Sequence, residues 1–390
     1  MTAMLEVLFW LSGFALAYPY VIYPVTLWLA VCLRGGRPVV RSCDPPRQIS
    51  VIIAAFNEER HIGRRIEELL GHIAAAGLSG EIVVVSDGST DRTAEIAGSF
   101  EDRGVRSLPL PENQGKAIAL TQGCSAASGE VLVFADARQT WSDEALTGLL
   151  ANFADPSIGA VSGDLVLAKG EGVLGGVGLY WRFEKWLRKL ETKWYSNVGV
   201  TGAISAVRRS LFTPIPAGTI LDDVYWPLRV AMGNHRVVHE AHAVAHDRLP
   251  DRVAGEFRRK VRTQAGNYQL IVRLPSSLLP WRNPIWWPFL SHKVARLLAP
   301  WGLVGLLITG ALLGGGYRLA FWVQVACYAL AMVGLISGSR SRSASAAASF
   351  LVLNAAAWMA FWVWISGRTA RTWTKVGYAN RAPVGRPGDA

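Results

Sequence analysis

Ile82-Val83-Val84-Val85-Ser86-Asp87-Gly88-Ser89-Thr90-Asp91 is the stretch on which the reading of the fold turns. Four apolar residues, three of them valine, predict a strand buried on both faces, and they run straight into an acidic turn containing glycine. Ser89 or Thr90 is then in place to cap a helix that continues through Ala94 and Ile96. In open parallel sheets, ligands sit outside the carboxyl ends of the strands. A strand, tight turn and helix start therefore puts Asp87 and Asp91 at a crevice rim beside a helix N-terminus.

The same pattern recurs on either side. Ile49 to Ala55 reads as a strand ending in Phe56-Asn57-Glu58-Glu59, with Asn57 placed to cap a helix whose Ile62, Ile66, Leu69, Leu70 and Ile73 share a face. Downstream, Asn113-Gln114-Gly115-Lys116 opens a helix, and the strand Val131 to Ala135 ends on Asp136. Strands near 49–54, 81–86, 105–108 and 131–135, separated by helical segments, predict βαβ units and an α/β fold with a mostly parallel sheet.

Charge and hydropathy segregate along the chain. It has 390 residues, a formal charge of +11 and a mean hydropathy of +0.24. No residue from Val7 to Leu33 is charged, and as a helix that run is about 40 Å long, enough to span a bilayer, with Pro19 and Pro24 as potential kinks. Glu6 and the absence of a basic leader argue for an anchor over a cleaved signal peptide. Arg34, Arg37, Arg41 and Arg47 follow the span, which places the soluble region on the cytoplasmic side, at a bacterial inner membrane. Three more apolar runs, Val294 to Leu313, Leu319 to Ile336 and the shorter Phe350 to Ile365, bring the expectation to four spans. Arg368, Arg371 and Lys375 would then fall on the wrong side, so either the last run does not cross or the tail is an exception.

Several classes of function fall away. Cys32, Cys43, Cys124 and Cys327 have no metal-ligand or disulfide spacing. His235, His239, His242 and His246 have helical spacing for a metal cluster, but Val237, Val238 and Val244 favour a strand, which sends His239 and His242 to opposite faces. The basic residues lie beside apolar segments, which argues for membrane lipid and against nucleic acid.

In its order of motifs, residues 48–270 resemble the family 2 glycosyltransferases, which carry an N-E turn, a D-G-S-x-x-D-type turn, an N-x-G-K segment and a strand ending in D-x-D. Thr201-Gly202-Ala203, Ala206 to Arg209 and Asp222-Asp223 continue the likeness. The resemblance implies a GT-A-like domain and an inverting transfer of a sugar from a nucleotide-sugar donor, a UDP-sugar first, to a lipid-linked or glycan acceptor. It implies Asp223 as base beside Asp222, Glu58 and Asp87 on the uracil and ribose with Ala54 and Phe56 beside the base, and Lys116 toward the phosphates. Asp136 would bind a divalent cation, Mg2+ or Mn2+. The D-x-D is reduced to Asp136-Ala137-Arg138, where Arg138 would take over part of the charge on the phosphates. Membrane polysaccharide synthases carry Q-x-x-R-W where this chain has Arg259-Lys260-Val261-Arg262-Thr263. Arg262 is left for the leaving diphosphate, while Thr263 replaces the acceptor-stacking tryptophan and counts against processive synthesis. Leu179 to Tyr195 reads as an amphipathic helix, either packed on the core or lining the acceptor side, where Glu191 stands in place of a common acidic residue.

The resulting division is an N-terminal transmembrane anchor (1–33), a linker (34–47), a cytoplasmic GT-A-like domain (48–255), a basic, Trp-rich interfacial region (256–290), C-terminal transmembrane helices (291–367) and a polar tail (368–390). Alternatives are a polyprenyl-phosphate sugar transferase, a polysaccharide synthase, and an inactive nucleotide-sugar-binding subunit of a membrane complex.

Overall fold

The computed structural model describes residues 1–42, 46–167, 173–247, 253–337 and 341–369. Cys43, Arg371 and Lys375 lie outside them.

The N-terminal apolar run is helical throughout. Helix α1 (Thr2–Ala17) passes through a π turn at Tyr18–Ile22 into α2 (Tyr23–Arg34). The irregular turn carries Pro19 and is followed by Pro24, residues that cannot donate backbone hydrogen bonds to the preceding turn. The described residues of the linker form no regular structure, yet they are held: Arg37 N donates to Lys193 O (2.8 Å) and Arg236 donates to Pro38 O (2.9 Å).

The α/β region then runs β1 (Gln48–Ala55), α3 (Ile62–Ala75), β2 (Ser79–Asp87), α4 (Thr93–Gly98), β3 (Val105–Leu110), α5 (Lys116–Ala126), β4 (Val131–Ala135), β5 (Thr140–Trp141), α6 (Ala145–Ala151), β6 (Ile158–Leu167), α7 (Val173–Trp194), β7 (Ile204–Arg208), α8 (Asp222–Met232) and β8 (Arg236–Asp247). The eight strands form one mixed sheet, in the order β3-β2-β1-β4-β7-β6-β8-β5. Strands β3, β2, β1 and β4 are parallel; β7 is antiparallel to both β4 and β6, while β6 and β8 run parallel.

The valine-rich runs are buried on both sides because helices cover both faces of the parallel half. Ile82, Val84, Val131 and Val133 enter one apolar cluster with α3 and α6; Val83, Val85, Leu132 and Phe134 enter another with α5 and α8. The parallel register pairs Ile53 with Ala135 and Ala54 with Val85, so the carboxyl ends of β1, β2 and β4 open at one edge of the sheet.

Beyond the sheet come α9 (Val253–Arg273), α10 (Trp286–Phe289), α11 (Ala299–Leu312), α12 (Gly316–Ser337) and α13 (Arg342–Ile365). Among the described residues three helices are long and apolar enough to cross a membrane: Thr2–Arg34, Gly316–Ile336 and Arg342–Ile365. A fourth crossing exists only if Trp286–Leu297 and Ala299–Leu312, bent by 51° at their junction, act as one span. The break in the expected run from Val294 precedes Pro300, which fits only the first turn of a helix.

The last span is longer than expected, 24 residues rather than a short segment from Phe350. Its added start is rich in Ser and Ala, low in hydropathy but favourable for helix and for close packing. A Cβ on Gly334 of α12 would lie 2.4 Å from Ala344 O of α13, so the two backbones meet without a side chain between them. Helix α13 also packs on α7 and α9, and Leu187 and Leu190 of α7 are buried against Tyr23 and Leu27 of α2. The amphipathic helix is thus the seam between the sheet and the apolar helices.

Candidate active site

Asp87 ends β2 with its side chain almost fully buried. Its two carboxylate oxygens accept the backbone N–H groups of Gln114 and Gly115, each at 2.8 Å. These bonds fix the loop before α5, and Gly115 is left with φ +91°, a conformation that favours glycine. Gly88 is forced in the same way: φ is +64° and a Cβ there would sit 2.3 Å from Asn113 N. Asp87 is therefore one step behind the cleft, setting the position of the residue that enters it, Lys116.

Lys116 Nζ lies 2.7 Å from Asp136 Oδ1, across from the end of β4. A single cleft is lined by Lys116, Asp136, Gly202, Ser205, Asp222 and Asp223, with Phe134 and Trp226 as its apolar floor. The two aspartates occupy the first turn of α8, where the helix dipole favours negative charge. Val200 N donates to Asp223 O (2.9 Å), tying the start of that helix to the Thr201-Gly202-Ala203 loop, and a Cβ on Gly202 would come within 3.2 Å of Lys116 Nζ.

Negative charge is in excess. Burial, with Asp223 and Asp136 nearby, pushes the Asp222 carboxyl up from 3.8 to about 6, while Lys116 and Arg262 pull against the rise. Burial alone would lower the Lys116 ammonium, but Asp136, Asp222 and Asp223 together hold it above its ordinary value. Burial lowers the Arg262 guanidinium from its ordinary value, and Asp222 and Asp223 oppose that change, so Arg262 of α9 faces the same carboxylates. The lysine and the arginine bring to this cleft the positive charge that a diphosphate calls for, and Asp136 offers hard oxygens to a divalent cation bound with it. Among the described residues no group of three or more His, Cys, Asp or Glu side chains surrounds a metal position, so a cation here would take most of its ligands from the diphosphate and water.

Other sequence-predicted residues sit at the same edge with different partners. Ala54 is level with the end of β4, beside Val85. Phe56 and Glu58 follow β1, and Glu58 Oε2 pairs with His61 Nδ1 at 2.9 Å. Two local expectations are corrected. Asn57 does not cap α3: its φ is +55°, and its Oδ1 accepts Thr90 N (2.8 Å), so it ties the first turn to the second. Neither Ser89 nor Thr90 caps α4; Asp91 Oδ1 accepts Thr93 N (3.0 Å) and Asp91 Oδ2 accepts Glu59 N (3.1 Å), which makes Asp91 a clamp between loops. Arg138, expected to take part of the charge on the phosphates, makes a two-point pair with Asp247 at the end of β8 (3.1 and 2.7 Å). Gln139 bonds the same carboxylate at 3.0 Å. Asp247 was missed in the sequence because the only signal for it is the pairing of β8 with β5, which brings distant residues together.

The histidines behave as a strand dictates. His239 is buried and His242 exposed, with His242 Nδ1 on Glu240 (2.9 Å). Thr263 turns its hydroxyl back onto Arg259 O (3.0 Å) and offers no ring to an acceptor.

Residues 50–214 match the family model described as glycosyl transferase family 2. Over that segment, which is less than half of the chain, the sequence is similar to the family 2 glycosyltransferases. The matched segment includes Asp87, Lys116 and Asp136 and stops before Asp222, Asp223 and Arg262. Among curated relatives, the chain is 25% identical over 252 residues to a poly-beta-1,6-N-acetyl-D-glucosamine synthase of Staphylococcus aureus, and 24% identical over 246 residues to the enzyme of that name from Staphylococcus epidermidis. The alignments cover 59% and 58% of this chain, and the chain spans only 57% and 56% of those relatives' length. Its fold matches that of a mannosyltransferase from Pyrobaculum calidifontis, solved in complex with GDP-Man and Mn2+, with a TM-score of 0.72, 20% identity, and coverage of 93% of this chain and 99% of the other.

Proposed function

We propose that this glycosyltransferase is anchored in a membrane and transfers a hexose, with inversion, from a nucleotide-sugar to an acceptor hydroxyl presented at the membrane surface. The observation that carries the proposal is the convergence of Lys116, Asp136, Asp222 and Asp223 in one cleft at the carboxyl edge of the sheet.

In the proposed reaction the acceptor oxygen attacks the anomeric carbon as the bond from that carbon to the diphosphate oxygen breaks. The acceptor's proton passes to Asp223, and the nucleoside diphosphate leaves with the bonding electrons. Lys116 and Arg262 neutralise the departing charge, and Asp222 keeps the field around the base negative. A divalent cation, Mg2+ or Mn2+, held at Asp136 would supply further neutralisation of the diphosphate. Asp87 acts from behind by fixing the loop that carries Lys116. Ala54, Phe56 and Glu58 flank the place for the nucleoside. Orientation follows from Arg34, Arg37, Arg41 and Arg47, which put the sheet on the cytoplasmic side of a bacterial inner membrane. The division into anchor, linker, GT-A-like domain, interfacial region and C-terminal spans is part of the same proposal.

The donor panel begins with UDP-N-acetylglucosamine, because the staphylococcal relatives are named for a polymer of N-acetylglucosamine, and continues with GDP-mannose, the ligand of the Pyrobaculum enzyme. Purified full chain in lipid, given Mg2+ or Mn2+, is expected to release nucleoside diphosphate from one of them only when an acceptor is present. Asp223→Asn is expected to lower turnover by about 10²-fold or more if a hydroxyl attacks. Near-normal turnover in that variant would move the reading to a phosphate acceptor, which needs no base. Binding without turnover on every donor would leave an inactive nucleotide-sugar-binding subunit.

A further inference from the structure

Where α7, α9 and the segment after α10 meet, the chain gathers more positive hydrogen-bond donors than it satisfies. Arg296 is only 6% exposed. Its Nη1 donates to Tyr180 OH (3.0 Å) and to Glu184, but Nε and Nη2 are buried with no acceptor. The indole Nε1 of Trp181 is a second buried donor without a partner. Lys260 Nζ sits 4.9 Å from the Tyr180 ring centre and 5.8 Å from that of Trp181. Its closest carboxylate, Glu256, is 3.9 Å away and already pairs with Arg259 at 2.8 Å. Lys293 is half-buried and makes no hydrogen bond or ion pair with any described residue, although Glu184, Arg188, Asp223 and Arg296 are all within its electrostatic reach.

The acidic groups present do not absorb this surplus. Glu184 is shared between Arg296 and His292, and Glu191 takes His292 (2.7 Å) and Tyr23 OH (2.9 Å). Leaving guanidinium and indole donors buried and unpaired costs on the order of 1–3 kcal/mol each, so such a cluster persists where a ligand completes it. A phosphate suits the donors by number and charge: several strong acceptor oxygens, met by a planar guanidinium and two ammonium groups.

The place also says what carries the phosphate. Tyr20, whose ring centre is 5.7 Å from the Arg296 guanidinium carbon, belongs to the π turn within the first apolar span. On that span Val21, which follows Tyr20, and Val25 one turn further on are exposed on the surface. An anion reaching this cluster therefore has apolar surface beside it.

We infer that Lys260, Lys293 and Arg296, with Trp181, form a binding site for the phosphate of a membrane lipid, beside Asp223. As a phosphate site this stands on the unpaired donors; as the acceptor's site it rests on the transferase reading above. There it would hold the lipid phosphate of a lipid-linked acceptor near the proposed base.

The test titrates purified full-length protein in neutral detergent with dodecyl phosphate, inorganic phosphate and dodecanol, following tryptophan fluorescence and the melting transition. Dodecyl phosphate is expected to bind saturably, about tenfold more weakly to Lys293→Gln or Lys260→Gln, with affinity restored in Lys293→Arg. Dodecanol binding as well as the phosphate, or both glutamine variants binding like the parent, overturns the site. Inorganic phosphate binding as tightly as dodecyl phosphate overturns the lipid source. Should one glutamine variant lack a melting transition, the other carries the comparison. Nucleoside diphosphate release is scored separately on the same preparation. Turnover without phosphate binding refutes this site alone, and phosphate binding without turnover on any donor refutes the transferase alone.

Discussion

Replacing Asp222 with asparagine should make the protein more stable at neutral pH. The Asp222 side chain is 8% exposed and its carboxyl is pushed up from 3.8 to about 6, first by burial and then by Asp223 and Asp136. Between those two values the Asp222 carboxyl holds a proton in the folded chain that it has released in the unfolded chain, so its own contribution to stability falls as pH rises through this window and levels off above it. At about 1.4 kcal/mol for each tenfold change in proton affinity, the ionised Asp222 costs the folded state about 3 kcal/mol at pH 7. An amide keeps the shape without the charge and should recover much of that. The assay is thermal unfolding in detergent with a chelator present, from pH 4.5 to 8. Burial lowers His239 from 6.5 to about 3, which raises the stability of both chains over the same window, so the quantity read is the difference: Asp222→Asn should gain melting temperature relative to the parent between pH 4.5 and 7 and melt higher than the parent at pH 8. A divalent cation with a nucleoside diphosphate should narrow the gap at pH 8, because positive charge in the cleft relieves the same repulsion. If Asp222→Asn melts lower than the parent at pH 8, the carboxylate is stabilising and the reasoning from crowded negative charge fails.

Lys116→Gln removes a cation shared by Asp136, Asp222 and Asp223, so donor kcat/KM should fall by about 10²-fold, measured as nucleoside diphosphate release; an unchanged value would remove Lys116 from the phosphate site. Gly88→Ala places a Cβ 2.3 Å from the Asn113 backbone at a φ of +64°, and should lower the melting temperature and raise the donor KM by displacing the loop before Lys116. Gly334→Val should loosen α12 from α13, where a Cβ would meet Ala344 O at 2.4 Å; protease digestion in detergent should then cut between these helices, and a parent-like digest would contradict the close packing.

What could be read in advance followed from local pattern. Runs such as Ile82 to Val85 and Val131 to Ala135 declare a strand through composition alone, and the strand end fixes where Asp87 and Asp136 emerge. Local pattern failed where a polar side chain had several possible partners. Asn57 has the chemistry of a helix cap, and sequence offers no way to see that a neighbouring loop lies close enough to use it instead. The partner of Arg138 is equally hidden, because β8 brings Asp247 beside it from more than a hundred residues away. The last span was misjudged for a different reason: hydropathy does not register a Ser- and Ala-rich helix start, whereas backbone packing against Gly334 does.

The same long-range pairing explains why the long apolar helices belong to the site rather than only flanking it. Helix α7 buries Leu187 and Leu190 on α2, and its Glu184 and Glu191 bind His292 and Arg296 from the segment after α10. Helix α9 carries Arg262 toward Asp222 and Asp223 on one turn and packs Val261 and Ala265 against Ala356 and Ala360 of α13 on the same stretch. An arginine facing the proposed catalytic carboxylates is thus held by a helix whose opposite contact is an apolar span. Detergents that separate α13 from α9 should therefore reduce donor turnover before they unfold the sheet, because the core around β1, β2 and β4 is closed without them while the position of Arg262 is not.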